Sequence, residues 1–396
     1  MKALFVLVRL WAVRVGFLVG RTRPVGRDVV LATSHAPALA GNLAEIARAL
    51  GAHPDVRVRT VAYVPSRTVR GRVRALLASV LAGYRLARAR LFVVDDYFFP
   101  LYAVRPRRRT TVVQVWHACG ALKKFGYSVA DKTFGAEEAI TSRVRIHSHY
   151  DVCLVSSGAA VPAYAEAFGQ PPERFVSSLG IPRTDLLVHP EAAAAARDAV
   201  RRRYGIADGR RVILWTPTFR GDRITEARAD ESLDLGTLRA ALGEDHVLLV
   251  RLHPFVRASF SVPPGCEDFA IDVSDHPSIN ELMLASDVLV TDYSSTVFEF
   301  ALLERPIALF APDLEAYERE RGFYVDYRTA MPGPVFETTE PLAAWLRSGA
   351  FDLERVRAFA REWFDVADGH ATERFIERVV LPSVAGTRVT AESLRT

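Results

Sequence analysis

Residues 286–310, which read SDVLVTDYSSTVFEFALLERPIALF, contain a strand, a helix and a second strand in close succession. The apolar runs at 287–291 and 306–310 have the length of buried strands, and residues 295–303 have the pattern of an amphipathic helix. A helix that connects two strands in this way is typical of a parallel sheet. We therefore predict an α/β fold.

The same alternation of strands and helices extends along most of the chain. Further strands are predicted at residues 28–33, 56–64, 91–95, 111–116, 152–156, 211–216 and 246–252, and further helices at 42–50, 69–88, 158–168, 235–242 and 279–285. The length of 396 residues exceeds what one compact core normally holds and fits two domains.

The segment from Gly180 to Asp185 (GIPRTD) separates the two halves, and its glycine and proline favour a turn at a hinge. We predict two Rossmann-like domains that face a central cleft, with additional helices near the C-terminus. The predicted boundaries are 1–24 for an N-terminal segment, 25–185 for the first domain, 186–380 for the second domain and 381–396 for a tail.

Composition and motifs exclude several classes of protein. A hydrophobic content of 49% and a charged content of 24% are those of a globular protein rather than a disordered one. Three cysteines without a CxxC pair support neither a disulfide framework nor structural zinc. GxGxxG, Walker A, GxSxG and HExxH motifs are missing from the sequence. Asp95 and Asp96 are adjacent but lack a third ligand at useful spacing, so we predict no metal and no cofactor.

The basic residues are unevenly distributed. The chain carries a net charge of +5, and the segment 56–94 contains nine arginines and no acidic residue. Such a segment fits an anionic partner such as a membrane surface, although a solvated helix face would have the same composition. No nucleic-acid-binding motif accompanies the charge, so we predict no nucleic acid partner.

The first twenty residues form an apolar stretch that Arg9 and Arg14 interrupt. Two arginines within the stretch count against a membrane-spanning helix, and no small-residue cleavage site follows it. Apolar residues recur at helical spacing and include Trp11, which favours a helix lying at the membrane surface. A buried first helix is the alternative.

A candidate catalytic residue, His117, follows the predicted strand 111–116 directly. Active sites of open parallel sheets lie beyond the carboxyl ends of the strands, and histidine is the usual general base near neutral pH. Gly120 permits close backbone approach, and Lys123 and Lys124 are candidates for binding an anion or the acceptor.

A candidate phosphate site follows three strands of the second half. Serines at the start of a helix can bind phosphate through unpaired N–H groups, although plain N-capping fits them equally well. Neighbouring strand ends add a second candidate catalytic histidine, His253. The candidate residues for binding phosphate and nucleotide are Thr218, Arg220, Thr291, Asp292, Ser294, Ser295 and Glu299, with Glu299 directed to the ribose.

Several segments together resemble the CDP-glycerol glycerophosphotransferase family of teichoic-acid primases and polymerases. In order, they are WHACGALKKFG (116–126), GIPRTD (180–185), TPTFR (216–220), RLHP (251–254), INEL (279–282), SDVLVTDYSS (286–295), RGFY (321–324) and DG (368–369). The set spans roughly residues 29–379 with the spacing typical of the family. One position departs, because many members read His-Gly-Thr where this chain has His117-Ala118-Cys119.

The resemblance implies a GT-B fold and a CDP-linked polyol phosphate donor. It further implies transfer of glycerol phosphate, or of another polyol phosphate, to a hydroxyl of a lipid-linked or polymer acceptor, with release of CMP. Peripheral attachment to the cytoplasmic face of the cell membrane is expected with it. Two alternatives stay open: a GT-B glycosyltransferase that uses a nucleotide sugar, and a non-catalytic basic membrane-binding protein.

Overall fold

The computed structural model describes residues 2–34, 36–64, 68–130, 138–221, 228, 232–253, 256 and 260–395. Arg67 of the arginine-rich segment and Pro254 of the RLHP motif lie outside the described residues.

The first half of the chain forms a six-stranded sheet in which every pairing is parallel. Its strands are β1 (Val29–Thr33), β2 (Val58–Ala62), β3 (Leu91–Val94), β4 (Thr111–Gln114), β5 (Val152–Leu154) and β6 (Phe175–Val176), in the order β2-β1-β3-β4-β5-β6. Every residue of β1, β3, β4 and β5 is buried, as expected for a sheet with both faces covered.

The second half forms another parallel six-stranded sheet. Its strands are β7 (Arg211–Thr216), β8 (His246–Val250), β9 (Ala270–Asp272), β10 (Val288–Thr291), β11 (Ile307–Phe310) and β12 (Val335–Phe336), in the order β12-β11-β10-β7-β8-β9. This is the strand order of a Rossmann sheet, whose direction of winding reverses between β7 and β10. The predicted α/β fold is therefore confirmed.

Helices connect the strands and cover the sheets. They are α1 (Lys2–Arg21), α2 (Gly41–Leu50), α3 (Val69–Arg88), α4 (Phe99–Ala103), α5 (Glu138–Thr141), α6 (Val161–Phe168), α7 (Pro190–Tyr204), α8 (Leu235–Leu242), α9 (Ile279–Ala285), α10 (Thr296–Ala301), α11 (Leu314–Arg321), α12 (Tyr327–Ala330), α13 (Thr339–Ser348), α14 (Leu353–Trp363), α15 (Ala371–Phe375) and α16 (Leu381–Ala385).

All the strands predicted from the sequence are present, with shifts of a few residues at their ends. The three strands that sequence analysis missed, β6, β9 and β12, have only two or three residues and lie at sheet edges. Two or three residues are too few to show an apolar period, so only the neighbouring strand defines them.

The N-terminal helix α1 packs lengthwise against α3 through small residues. A Cβ atom placed on Gly83 of α3 would lie 2.1 Å from the carbonyl oxygen of Val13, and one on Gly16 would lie 2.0 Å from that of Val80. Val13 is fully buried, so one face of α1 belongs to the core. No helix among the described residues combines the length and apolar character needed to cross a membrane.

The C-terminal segment returns to the first half of the chain. Val389 donates its N–H to Thr111 Oγ1 of β4 at 3.2 Å, and Arg388 pairs with Asp151 at 2.7 Å. Leu394 is buried. Residues 388–394 of the predicted tail therefore contact the first half of the chain, and the exact domain boundaries remain predictions.

We predict that Gly83→Ala destabilises the protein by about 1–3 kcal/mol, because the added methyl group forces α1 away from α3. Gly26→Ala is the matched control, since its Cβ would meet its nearest neighbour at 3.6 Å. Urea unfolding followed by circular dichroism measures both variants. Equal stabilities of the two variants would contradict the close packing of the helices.

Candidate active site

The carboxyl ends of the strands in both sheets open into one cavity of about 840 Å³. Parallel sheets bind ligands at this edge, and the crevice between β7 and β10 is the reversal point of the second sheet. The cavity brings together most of the candidate residues of both halves, namely His117, Lys123, Lys124, Thr218, His253, Ser294 and Ser295.

His117 lies beyond the end of β4 with its ring oriented by the neighbouring strand end. Its Nδ1 is 3.1 Å from the carbonyl oxygen of Asp95 and 3.7 Å from Oδ1 of Asp96. We assign the proton to Nδ1, which can then donate to these oxygens, and this tautomer has its basic lone pair on Nε2. The side chain is 33% exposed, so the basic nitrogen is available for general base chemistry.

The residue before His117 adopts a strained backbone conformation. Trp116 has a φ of +50°, which is unfavourable for a bulky side chain. Its indole ring stacks on the ring of His117 at 4.4 Å and on that of Phe125 at 5.2 Å. The backbone N–H of Trp116 donates to Gln114 Oε1 at 2.8 Å. These contacts maintain a sharp turn that presents His117 to the cavity.

The loop that follows His117 packs tightly against the second half. Gly120 has a φ of +59°, and a Cβ atom there would lie 2.2 Å from the ring of Phe298 on α10. Because α10 begins just after Ser295, this contact places the His117 loop next to the serines. The close approach predicted for Gly120 is thus present, and it joins the two halves.

Further along the same loop, the two halves exchange backbone hydrogen bonds. The N–H of Lys124 donates to the carbonyl of Gly322 at 3.0 Å, and that of Tyr324 donates to the carbonyl of Leu122 at 2.9 Å. The tyrosine hydroxyl also donates to Ser128 at 2.7 Å. The lysines are therefore held at the boundary between the two sheets.

On the second half, a buried carboxylate organises the ends of β7 and β10. Asp292 accepts the N–H of Thr218 at 2.9 Å and its hydroxyl at 2.8 Å. Arg220 pairs with Asp292 at 2.8 Å and with Asp313 at 2.6 Å, while its guanidinium lies 5.2 Å from the ring centre of Tyr293. Arg220 and Asp292 thus contact Thr218, which lines the cavity, but neither is itself among the described residues that line it.

Two further candidates, Thr291 and Glu299, are not among the described residues that line the cavity. Thr291 donates its hydroxyl to the carbonyl of Thr216 at 2.8 Å, inside the sheet. Glu299 is buried and forms an ion pair with Arg183 at 2.9 Å. Burial raises the pKa of the Glu299 carboxyl, and Arg183 opposes this rise. Its assignment to the ribose stays a prediction.

His253 and the two serines do line the cavity. The ring of His253 lies 5.0 Å from that of Phe219. Ser294 Oγ accepts from the hydroxyl of Thr296 at 3.0 Å, and that hydroxyl lies 3.1 Å from Thr216 Oγ1. Hydroxyl groups from β7 and from the start of α10 thus meet at the reversal point of the sheet.

Sequence analysis missed Arg183 of the GIPRTD segment, which connects α2, α9, α10 and the loop that holds His117. Its N–H donates to Asn42 on α2 at 3.0 Å, and its carbonyl accepts from Asn280 on α9 at 2.8 Å. Its guanidinium donates to the carbonyl of His117 at 2.6 Å and pairs with Glu299. The sequence predicts a hinge at this segment and includes it among the family motifs, but it assigns no role to Arg183, because its partners are too distant in sequence to show a pattern.

Among the described residues, no group of three or more histidine, cysteine, aspartate or glutamate side chains could hold a metal ion. The carbonyl oxygen of Asp95 and the carboxylate of Asp96 both lie near His117 Nδ1, where they orient the ring.

Two parallel sheets with a shared cavity at the carboxyl ends of their strands define a protein of the GT-B fold. A family model described as CDP-Glycerol:Poly(glycerophosphate) glycerophosphotransferase matches residues 17–381. The chain therefore belongs to this family and is a polyol-phosphate transferase, as its motifs predicted.

Curated relatives share substantial identity. The teichoic acid ribitol-phosphate primase of Bacillus spizizenii is 38% identical over 354 residues, which cover 89% of this chain and 90% of the primase. The teichoic acid poly(ribitol-phosphate) polymerase of the same organism is 35% identical over 76% of this chain, but the match spans only 48% of that polymerase.

A solved structure of the wall teichoic acid polymerase TagF superimposes with a TM-score of 0.77 at 24% identity, covering 95% of this chain and 94% of the other. The Staphylococcus aureus MnaA–UDP structure superimposes with a TM-score of 0.51 at 13% identity, over 92% of this chain and 99% of the other. These likenesses support the fold.

We predict that Asn42→Ala destabilises the protein by about 1–3 kcal/mol and lowers activity. Asn42 is buried, and its Nδ2 donates to the carbonyls of Val115 and Trp116 at 2.9 and 3.0 Å, which would lose their partner. Asn42→Asp keeps the acceptor for Arg183 but puts a carboxylate against both carbonyls, so it is expected to be at least as damaging.

Urea unfolding and initial rates measure these variants. Asn280→Ala removes one hydrogen bond to the Arg183 carbonyl and is the comparison variant, for which a smaller loss of stability is expected. Wild-type stability and rate in Asn42→Ala would show that the turn before His117 does not need this side chain.

Proposed function

We propose that this enzyme transfers a polyol phosphate, glycerol phosphate or ribitol phosphate, from a CDP-linked donor to a hydroxyl of a membrane-linked acceptor, releasing CMP, in the synthesis of a teichoic-acid-type polymer. The observation that supports it is the shared cavity, in which a histidine from the first half faces hydroxyl and basic groups from the second half. Family membership supports the choice of donor.

In this proposal, residues of the first half act on the acceptor and residues of the second half act on the donor. The acceptor hydroxyl oxygen attacks the β-phosphorus of the donor while His117 Nε2 takes its proton. The bond between that phosphorus and the bridging oxygen breaks, and CMP leaves. His253, Ser294 and Ser295 stabilise the charge that develops on the phosphates, which is the main requirement of phosphoryl transfer. Lys123 and Lys124 contribute positive charge beside the acceptor.

Two of the residues assigned to the donor act indirectly in this proposal. Arg220 is already paired with two carboxylates, so its main effect is on the position of Thr218. Asp292 has the same role through its bonds to Thr218. We therefore place His253, Ser294, Ser295 and Thr218 at the donor phosphates.

We predict that His117→Ala lowers turnover by about 10²–10⁴-fold with little change in donor affinity, because it removes the base alone. The assay combines CDP-ribitol, CDP-glycerol and UDP- or GDP-sugars with a synthetic lipid acceptor, with and without EDTA, and identifies products by mass spectrometry. CDP-ribitol comes first because of the similarity to the ribitol-phosphate primase.

His370→Ala, which alters an exposed histidine, is the matched control. Calorimetry checks donor binding in each variant. Near-normal turnover in His117→Ala would exclude His117 as the base. Transfer from a sugar nucleotide and from none of the CDP-polyols would refute the proposed donor.

The proposed membrane attachment rests on where the apolar surface is concentrated. The described residues include fourteen exposed large hydrophobic side chains, and all but Val64 and Leu381 lie on α1 or α3. Exposed apolar residues grouped in this way are typical of an interaction surface. We define the apolar face of this helix pair as Leu4, Leu7, Val8, Trp11, Val15, Leu18, Val19, Val69, Val73, Leu77, Val80 and Leu81.

Basic side chains accompany this face. Arg14 is exposed on α1 and stacks near Trp11, while Arg70, Arg72 and Arg74 are exposed on α3. An apolar face with arginines beside it fits an anionic lipid surface. We place the face on the cytoplasmic leaflet, where a CDP-linked donor is available.

We predict that the protein sediments with anionic vesicles and that Trp11→Glu combined with Leu77→Glu abolishes most of this binding. Each substitution puts a negative charge where an apolar side chain would meet lipid. Replacement of Arg70, Arg72 and Arg74 by glutamate is expected to remove the salt-sensitive part of vesicle binding. That part depends on salt because exposed charges are screened within about 8 Å at physiological salt.

Leu381→Glu is the matched control, since Leu381 is exposed but lies outside the apolar face. Vesicles with and without anionic lipid separate the two contributions. A wild-type protein that stays in the supernatant with anionic vesicles at low salt would contradict the attachment.

A further inference from the structure

Arg9 is a buried arginine on the face of α1 that joins the core. Its neighbours on that face, Val6, Leu10 and Val13, are buried apolar residues, and Arg9 itself is only 7% exposed. Burial of a guanidinium removes much of its hydration and is costly unless an anion or several hydrogen bonds replace the water.

The partners of Arg9 within the described part of the chain are uncharged. Its guanidinium donates to the hydroxyl of Tyr63 at 2.7 Å and to that of Ser79 at 3.3 Å, and it lies 4.4 Å from the ring centre of Phe99. Among the described residues, no carboxylate forms an ion pair with it. Within the described ranges, hydrogen bonds and a ring therefore position the charge without neutralising it.

Arg9 lines the same cavity as His117. Tyr97 and Tyr102 also line this cavity. On the other side of α1, Leu7, Val8 and Trp11 belong to the exposed apolar face. Arg9 thus lies between the surface proposed to meet lipid and the residue proposed to activate the acceptor.

We propose that Arg9 binds a phosphate or diphosphate group of the acceptor and so selects acceptors that carry an anionic group next to the reacting polyol. The inference rests on the proposed function and adds the chemical class of the acceptor. Arginine suits this role because its planar fork of N–H donors matches phosphate oxygens. Binding of the anion supplies the countercharge that the described protein residues do not provide.

The test compares wild type with Arg9→Gln on three acceptors that present the same polyol. The first carries an apolar tail joined through a phosphodiester, the second carries the same tail through an uncharged linker, and the third is a water-soluble phosphodiester without a tail. We expect kcat/KM to fall about 10- to 100-fold for phosphate-bearing acceptors and to stay within a few-fold for the uncharged one.

Loss of activity on both phosphodiesters would assign Arg9 to the phosphate next to the polyol, with or without a lipid tail. Loss on the tail-bearing phosphodiester alone would assign it to a phosphate on the lipid side. Arg21→Gln, which alters an exposed arginine in the last turn of the same helix, is the matched control and is expected to leave the ratio between acceptors unchanged. The KM for the donor is expected to be unchanged in both variants, since Arg9 is assigned to the acceptor alone.

Equal losses on charged and uncharged acceptors, or no loss on either, would overturn the proposal. If Arg9→Gln does not fold, Arg9→Lys retains a charge, and the same selectivity at smaller amplitude is expected; equal effects on all acceptors would again overturn it. Failure of wild type to transfer to any acceptor would instead refute the proposed function, so the two failures are distinguishable.

Discussion

Arg183 carries the set of contacts on which the rest of the active site depends. The chain has only two asparagines, and both bind the Arg183 backbone, Asn42 from the first half and Asn280 from the second. Its guanidinium bridges the carbonyl of His117 and the buried carboxylate of Glu299. Because one residue contacts both halves, the loop that holds the proposed base is coupled to the helix that follows the phosphate-site serines.

The strained backbone of Trp116 is stabilised by its surroundings. A tryptophan with positive φ persists only where its surroundings over-determine it, and here Gln114, Asn42 and two stacked rings do so. Asp292 performs a comparable task in the second sheet by fixing the turn after β7. Several buried or partly buried polar side chains near the cavity, including Arg220 and Glu299, are thus paired with other groups of the protein.

The helix pair α1 and α3 combines two functions that sequence analysis treated as alternatives. One face of α1 is buried through close contacts at Gly16 and Gly83, and the opposite face exposes apolar side chains. A helix in this position can attach the protein to a surface without leaving the fold. Arg9 lies on the buried face and lines the cavity, so one helix contributes both to the proposed attachment surface and to the candidate active site.

The sequence alone determined the α/β class, the long strands and the positions of His117, His253 and Ser294 at strand ends, because apolar periodicity and turn residues are local signals. Family motifs added the chemistry. Tertiary structure decided which candidates reach the cavity: the charges of Arg220 and Glu299 are paired internally with partners many residues away. It also revealed Asn42, Arg183 and Arg9, whose roles depend on contacts between distant segments. Such contacts leave no periodic trace in a single sequence, since side-chain pairing across the fold is set by packing rather than by local spacing.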